Sequence, residues 1–320
     1  MDRKMKAPLS PGQRGGLSRA GRGVPAATLA SIICHVLWGF SFMASRTALD
    51  RASVFVLLSH RFCIAFLALH LFPRRISRDL RLGAKRFWLL VALGLAQPVC
   101  YFFSEQYGIL HSTTIFSGVM IAMIPIVSTV AAAPILGEKP TWGQLLFSLL
   151  SVGGVVGIGL MSRGSGALDG VGVAALVVAV CAAAAYTLLG RGISGRFTPF
   201  ERAYMMVAVG SAVFTPLALA QCRGSLAAYV RPLAEPSYLL SILFLGLGCS
   251  VVAFFLSCYT ITYLTVARET VFANLTTAVS VFAGAVFLHE PFSPPGLVCC
   301  AVILLGIYGV QRTARKEETA

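Results

Sequence analysis

Long apolar segments separated by short polar ones make up most of the chain. Ten of these segments hold about 20 mostly apolar residues each, the length of a helix that crosses the hydrocarbon core of a bilayer. They cover residues 26–47, 52–72, 86–108, 112–136, 141–161, 168–190, 199–221, 236–259, 268–289 and 294–311. Helices are predicted because backbone groups in lipid must bond within their own segment, whereas membrane barrels show short alternating strands. The predicted fold class is an all-α integral membrane protein with ten transmembrane helices.

Two stretches of the chain resemble each other at a constant offset of 152 residues. Placing 89–158 over 241–310 without a gap gives 19 identities in 70 positions, Phe102 with Phe254 and Glu138 with Glu290 among them. Shared apolar composition alone would give about half that number. Each half then holds five spans, and because five is odd the second half enters the membrane from the opposite face. Inverted-topology repeats of this kind are typical of secondary transporters.

Composition and charge exclude the soluble classes of protein. Only 12% of the 320 residues are charged and 57% are apolar, against about 25% charged in a soluble domain. With the N-terminus inside, the inner segments carry 20 of the 26 Lys and Arg residues and the outer segments carry 6. The positive-inside rule therefore predicts cytoplasmic termini in a plasma membrane, with a bacterial inner membrane favoured. The net charge of +14 is explained by these loops, so no nucleic-acid partner is predicted.

Motifs of enzymes and metal sites are missing from the sequence. The nine cysteines form no C-x-x-C pair, and the string "HEPFS" lacks the second histidine of a zinc-protease helix. No G-x-S-x-G and no Gly-rich phosphate loop occurs either. We therefore predict no cofactor, no metal and no enzymatic activity. An intramembrane enzyme that acts through tertiary proximity remains an alternative, as does a channel or receptor-like protein.

The third span carries the most informative polar residues of the chain. Gln97, Tyr101 and Glu105 follow one another at intervals of four, which places them on one face of a helix. Pro98 removes a helical hydrogen bond and predicts a kink with polar lining beside Gln97. A carboxylate in a span is costly unless something compensates it, so Glu105 is predicted to carry a proton or to bind a substrate amine. The alternative for Glu105 is a hydrogen-bonded interfacial carboxylate.

Other candidate substrate-binding residues lie in spans 1, 6 and 9. His35 and Trp38 project from one face of the first helix, where His35 is the second candidate for proton coupling and Trp38 could stack on a substrate. Tyr186 and the buried amide of Asn274 complete the predicted substrate site. The alternative for each of these residues is a structural role, either in packing or in a hydrogen bond between helices.

Several further residues have mainly structural interpretations. Arg268 and Glu269 open the ninth span and form a candidate gate, although an acid in a first helical turn also complements the helix dipole. Arg61 is expected to extend its side chain to the outer membrane surface or to bind a carboxylate there. Glu138 and Glu290 end spans at equivalent places and predict a shared structural role. Closely spaced glycines predict helix packing seams and leave a homodimer contact open: Gly153, Gly157, Gly306 and Gly309.

Short motifs stand in a characteristic order along the two halves of the chain. They are Trp38-Gly39, Arg61-Phe62, Thr113-Thr114, Pro125, Gly137-Glu138, Ala267-Arg268 and Glu290. On these motifs the sequence resembles the drug/metabolite transporter superfamily, in its EamA-like branch of ten-helix proteins, over roughly residues 28–311. His289 departs from the pattern, which expects glycine there, and Thr277 stands where the first half has Pro125.

The resemblance implies a domain organisation and a function. Residues 26–161 and 168–311 would be the two EamA-like repeats, with a basic, disordered cytoplasmic tail over 1–25 and a short one over 312–320. The function predicted is export or exchange of a small organic solute, such as an amino acid, a metabolite or a drug-like compound, by alternating access. Proton coupling stays open. The predicted partners are this solute and the lipid bilayer.

Overall fold

The structure is a computed structural model that describes residues 11–71, 84–124, 126–128, 130–131, 141–164, 169–193, 196–263, 266–290 and 294–319. In some helical stretches, 11–24 and 266–274 among them, the description covers the backbone and not the side chains. Pro125 and Glu138, which the sequence singles out, lie outside the described residues.

Every regular element of the described residues is helical. The elements are α1 (Pro11–Leu49), α2 (Val54–Leu71), α3 (Ala84–Gly94), the π-helix π1 (Leu95–Tyr101), α4 (Phe102–Leu110), α5 (Thr114–Ile121), α6 (Trp142–Gly164), α7 (Gly170–Ile193), α8 (Pro199–Gln221), α9 (Leu226–Val230), a 3-10 helix (Arg231–Ala234), α10 (Pro236–Leu243), the π-helix π2 (Phe244–Ala253), α11 (Phe254–Tyr263), α12 (Val266–Phe287) and α13 (Pro294–Thr319).

Six helical stretches are long and apolar enough to cross a membrane. They are Pro25–Leu49, Val54–Leu71, Phe87–Leu110, Gly170–Gly190, Pro199–Gln221 and Pro236–Thr260. Shorter apolar helices include Leu275–Phe287 and Pro295–Gly306, and another begins at Thr114. The prediction of an all-helical membrane protein is confirmed at this level, because each of these helices falls on a segment predicted from hydropathy.

Helices extend beyond the first and last predicted spans at both chain ends. The helix α1 begins at Pro11, inside the segment expected to be a disordered tail, and α13 continues to Thr319 through the predicted C-terminal tail. Extending an existing helix by one residue costs far less than starting one. A span can therefore continue into polar sequence that would form no helix alone.

The two π-helices lie at equivalent places in the two halves. π1 ends at Tyr101 and π2 ends at Ala253, which are 152 residues apart, and an α-helix follows each of them at Phe102 and Phe254. The predicted irregularity at Pro98 is present, but as a π-helix. Because π2 contains no proline, the proline alone does not account for this backbone form.

Polar contacts join helix ends at one end of the bundle. The Glu290 carboxylate accepts hydrogen bonds from the backbone nitrogens of Thr114 (2.7 Å) and Ile115 (3.0 Å), so it caps the start of α5. At the same end, His111 bonds Asp169 at 2.9 Å. Hydrogen bonds from the Gly172 N–H and from His111 hold the pKa of the Asp169 carboxyl below its usual range. The structural role predicted for Glu290 is thus a cap that links the two halves.

Glycines let α6 and α13 approach closely. A Cβ atom on Gly309 would lie 2.2 Å from the Phe147 ring, and one on Gly306 would lie 2.7 Å from the Phe147 carbonyl oxygen. A Cβ on Gly157 would meet the Cys299 sulfur at 2.8 Å, whereas nothing lies within 4 Å of such an atom on Gly153. The predicted packing seam is present at Gly157, Gly306 and Gly309, and Gly153 does not contribute to it.

Candidate functional site

A row of aromatic rings crosses the bundle from α1 to the two π-helical spans. The His35 and Trp38 rings pack edge to face with centroids 5.5 Å apart, and Trp38 meets Phe254 in the same way at 6.4 Å. Phe254 lies 5.7 Å from Phe102, which in turn packs against Tyr101 at 4.8 Å. Phe102 and Phe254 are the residues that follow π1 and π2, so the two equivalent spans meet at this row.

Tyr101, Glu105 and Gln106 form a buried polar cluster beside the rings. The Tyr101 hydroxyl donates to Glu105 Oε1 at 2.5 Å, and Gln106 Nε2 donates to Glu105 Oε2 at 3.2 Å. Glu105 is only 3% exposed, and it is the one acidic side chain among the buried residues that the structure describes. The four-residue spacing predicted that Tyr101 and Glu105 share a helix face, and their hydrogen bond agrees with that.

Arg61 reaches the same cluster from α2. Its guanidinium carbon lies 4.1 Å from the centroid of the Phe102 ring, and its Nε donates to Ser250 Oγ of π2 at 2.7 Å. Arg61 and Glu105 are thus both near Phe102, because Phe102 packs against Tyr101 and Tyr101 bonds Glu105. No nitrogen of Arg61 lies within 4.0 Å of a Glu105 oxygen, so the two residues form no ion pair. In the described part of the chain, a pair within that distance is formed by His111 and Asp169.

The burial of Arg61 corrects the expectation that it extends to the membrane surface. The residue is 1% exposed and is the eighth of the 18 residues of α2, close to the middle of the span. A guanidinium at that depth cannot reach the headgroups, and the Phe102 ring and Ser250 hold it inside the bundle. Its central position in the second apolar segment is the signal that could have identified it from sequence.

His35 is held by α12. Thr276 Oγ1 donates its hydroxyl hydrogen to the His35 carbonyl oxygen at 3.2 Å and lies 3.0 Å from His35 Nδ1. Because Thr276 has a single hydroxyl hydrogen, Nδ1 is the donor in the second contact. Nε2 is then an acceptor, and it is buried without a partner. Thr276 and Gln106 were not identified from sequence.

Several of these residues carry unpartnered polar atoms, which also occur elsewhere in the described chain, on Arg202 Nε and His60 Nε2 among others. Buried side-chain nitrogens and oxygens without a hydrogen-bond partner include His35 Nε2, Trp38 Nε1, Arg61 Nη1 and Nη2, Gln97 Oε1 and Gln106 Oε1. Buried polar atoms are normally paired, and leaving one unpaired costs about 1–3 kcal/mol. Several such atoms in one cluster of residues are typical of a site that is completed by water or by a ligand. No group of three or more His, Cys, Asp or Glu in the described chain is placed to hold a metal ion.

The remaining predicted site residues are less closely defined. Tyr186 is partly buried against the apolar core on α7, which packs against π1 and α4. Asn274, Arg268 and Glu269 lie on α12, but their side chains lie outside the described residues. The structure therefore brings together His35, Trp38, Tyr101 and Glu105. The substrate contact of Asn274 and the gate formed by Arg268 and Glu269 stay predictions.

Similarity to known proteins follows the same division into halves. The family model of the EamA-like transporter family matches the chain twice, over residues 25–160 and 170–312. The chain belongs to this family. The resemblance found from its short motifs is confirmed, and the protein is a membrane transporter, not an enzyme.

Named relatives of this EamA-like transporter are transporters themselves. An uncharacterized transporter of Bacillus subtilis, YcxC, is 32% identical over 91% of this chain and 94% of its own length. A probable terminal-alkyne amino-acid exporter of Streptantibioticus cattleyicolor is 26% identical over 89% of this chain and 93% of its own. A solved crystal structure at 18% identity superimposes with a TM-score of 0.61 over 92% of this chain and 99% of its own, and it shares the fold.

Proposed function

We propose that the protein is a secondary transporter that exports or exchanges a small organic solute by alternating access. The observation that carries this proposal is the buried cluster of unpaired polar atoms at the meeting of the two equivalent spans. Its residues contact the second half of the chain, because His35 bonds Thr276, Arg61 bonds Ser250 and Trp38 packs against Phe254, as expected for a site at the interface of two repeats. We assign substrate contact to His35, Trp38, Gln97, Tyr101 and Glu105, with Tyr186 and Asn274 completing the site.

The proposed architecture is ten spans in two inverted repeats with both termini in the cytoplasm. The equivalent positions of π1 and π2 support the duplication. The contacts Ser53 with Gln221, His111 with Asp169 and Glu290 with Thr114 support the topology, because each of them joins residues at or beside the predicted outer ends of spans. The excess of Lys and Arg on the other side supports the proposed orientation in a plasma membrane, a bacterial inner membrane being favoured.

The nature of the solute follows from the lining of the site. Aromatic rings beside a carboxylate and a guanidinium suit an amino acid or a similar small metabolite better than a purely apolar compound. The relative from Streptantibioticus cattleyicolor, described as a probable amino-acid exporter, supports this class. If transport is coupled to protons, Glu105 is the first candidate carrier and His35, with its free Nε2, the second.

Transport from reconstituted liposomes tests the proposal. Vesicles that contain the full chain are loaded with an equimolar amino-acid mixture, and efflux of each component is followed by mass spectrometry with and without a pH gradient. We expect saturable efflux of a subset of components and counterflow when one of them is supplied outside. Efflux equal to that of protein-free vesicles would overturn the proposal, and flux without saturation or counterflow would instead indicate a channel.

A matched pair of tryptophan variants locates the site. Trp38→Ala removes a ring of the aromatic row, and we expect it to slow saturable efflux about tenfold or more. Trp88→Ala is the control, because Trp88 is 69% exposed on α3 and contacts only Phe87 in the aromatic pairs of the described chain. Equal effects of the two substitutions would contradict the assignment of Trp38 to the site.

A further inference from the structure

One edge of the Arg61 guanidinium has no hydrogen-bond partner and matches the shape of a planar anion. Its Nε is occupied by Ser250 Oγ, and the Phe102 ring covers one of its faces at 4.1 Å. Both terminal nitrogens, Nη1 and Nη2, are buried without a partner. Two adjacent nitrogens of a guanidinium match the two oxygens of a carboxylate in a bidentate pair.

Acceptors for a cation lie in the same cluster. Each oxygen of Glu105 receives one hydrogen bond from a neighbouring side chain, whereas a carboxylate accepts about four. Gln106 donates to Glu105 through Nε2, and its Oε1 is buried and unpaired. Glu105 and Gln106 therefore offer free lone pairs to a group that has several N–H donors, such as an ammonium.

Charge balance restricts the ligand further. The Arg61 guanidinium and the Glu105 carboxyl are both buried beside the Phe102 ring, and in the described part of the chain they form no ion pair. A buried charge without a partner is costly, so a ligand is favoured when it neutralises both groups. A dianion such as a phosphate monoester would place excess negative charge beside Glu105, and a simple amine would leave Arg61 unpaired.

We propose that Arg61 binds the carboxylate and Glu105 with Gln106 binds the ammonium of a zwitterionic solute. This assignment rests on the proposed transport function and names the class of solute that occupies the site. Arg61 is then a substrate-binding residue, in line with the second of its two interpretations from sequence, binding of a carboxylate rather than extension to the membrane surface. The unpaired nitrogens distinguish it from a structural ion pair, in which Glu105 would already occupy them.

The test compares analogues of two amino acids on the full-length detergent-purified protein. The probes are leucine and phenylalanine, their amides, the amines that lack the carboxylate, and the acids that lack the ammonium. Affinity is measured by the rise of the melting temperature with probe concentration. We expect at least one of the two amino acids to bind about tenfold or more tightly than each of its analogues, because each analogue leaves one buried charge unpaired.

Two arginine variants separate recognition from stability. Arg61→Gln is expected to weaken binding of the amino acid about tenfold or more while binding of its amide changes less than about threefold. Arg202→Gln is the control, because Arg202 is equally buried at 1% exposure but donates from Nη2 to the Cys258 carbonyl on α11. We expect it to keep the preference for the amino acid over the amide.

Several outcomes would overturn the assignment. One is equal affinity of the unmodified protein for amino acid, amide and amine, and this measurement needs no variant that folds. Another is equal loss of amino-acid binding in Arg61→Gln and Arg202→Gln. Saturable liposome transport of a solute with no carboxylate, together with no binding of either amino acid, would refute the zwitterion and leave the transport function intact. Absence of any transported solute would refute the transport function itself.

Discussion

The two π-helical spans share a backbone and differ in their chemistry. In the first span, π1 and α4 carry Gln97, Tyr101 and Glu105. The residues 152 positions later, on π2 and α11, are Cys249, Ala253 and Ser257. Both spans change from π-helix to α-helix at the same equivalent position, before Phe102 and before Phe254. The duplication has preserved the course of the chain, while ionisable and amide groups remain in one copy.

The small side chains of the second π-helical span have a structural role. Ser250 takes the place of Pro98 and accepts the Arg61 hydrogen bond, which a proline could not do through its side chain. The Ala253 carbonyl accepts a hydrogen bond from the Cys34 thiol at 3.3 Å. The second span thus supplies support and space, and the first supplies the groups that meet the solute.

The largest effect is expected from removing the carboxylate of the first span. Glu105→Gln keeps the size of the side chain and abolishes its charge, so we expect transport to fall about tenfold or more and its pH dependence to flatten. Ser257→Ala, at the equivalent position of the second span, should transport at the normal rate. The measurement is liposome efflux between about pH 6 and 8. Unchanged transport and pH dependence in Glu105→Gln would remove Glu105 from both proposed roles.

A smaller effect is expected from the hydroxyl beside that carboxylate. Tyr101→Phe removes the donor to Glu105 Oε1 and leaves a buried carboxylate with one bond fewer. Hydrogen bonds to charged groups contribute about 1.5–3 kcal/mol, so the melting temperature should fall by several degrees. Tyr107→Phe is the control on the same helix, since Tyr107 is 36% exposed and contacts Phe103 and His111 through its ring. Equal shifts in both variants would show that the Tyr101–Glu105 bond contributes little.

Much of this arrangement can be predicted from sequence, and the contacts that were missed join residues far apart in the chain. Hydropathy located the spans because length and apolar content are local properties. The four-residue spacing placed Tyr101 beside Glu105 for the same reason. Ser250 was not predicted as the partner of Arg61 because it lies 189 residues away, and no local pattern reports such a contact. The link between His35 and Thr276, 241 residues apart, was missed for the same reason.

The π-helices show a second limit of local reasoning. Pro98 predicted an irregularity in the first span, yet π2 has the same form with Ser250 at that position. We therefore expect Pro98→Ala to keep the π-helix, to change the free energy of unfolding by less than about 1 kcal/mol and to retain transport. If π1 became a regular α-helix, its wide turn would hold one residue fewer. Because each residue of an α-helix turns the chain by about 100°, α3 would rotate by about 100° relative to α4. Loss of transport in this variant would show that the proline maintains the register.

The smallest predicted effect concerns the ends of the two repeats. His289 has φ of 51°, a left-handed conformation that costs a side-chain-bearing residue about 1–2 kcal/mol, and the first half has Gly137 at this place. His289→Gly should relieve that cost, although the greater freedom of glycine in the unfolded chain offsets about 0.5–1 kcal/mol of it. We expect a net gain below about 1 kcal/mol, measured as a small rise in melting temperature with transport unchanged.

A second left-handed residue makes this last prediction specific. Arg223 has φ of 52° at the end of α8, outside the duplicated stretch, and its side chain is exposed. Arg223→Gly should therefore raise the melting temperature by a similar amount, because the backbone cost is the same. If Arg223→Gly stabilises the protein and His289→Gly does not, the His289 side chain contributes contacts beside the Glu290 cap. The two halves would then differ at their last turn in side-chain chemistry as well as in backbone strain.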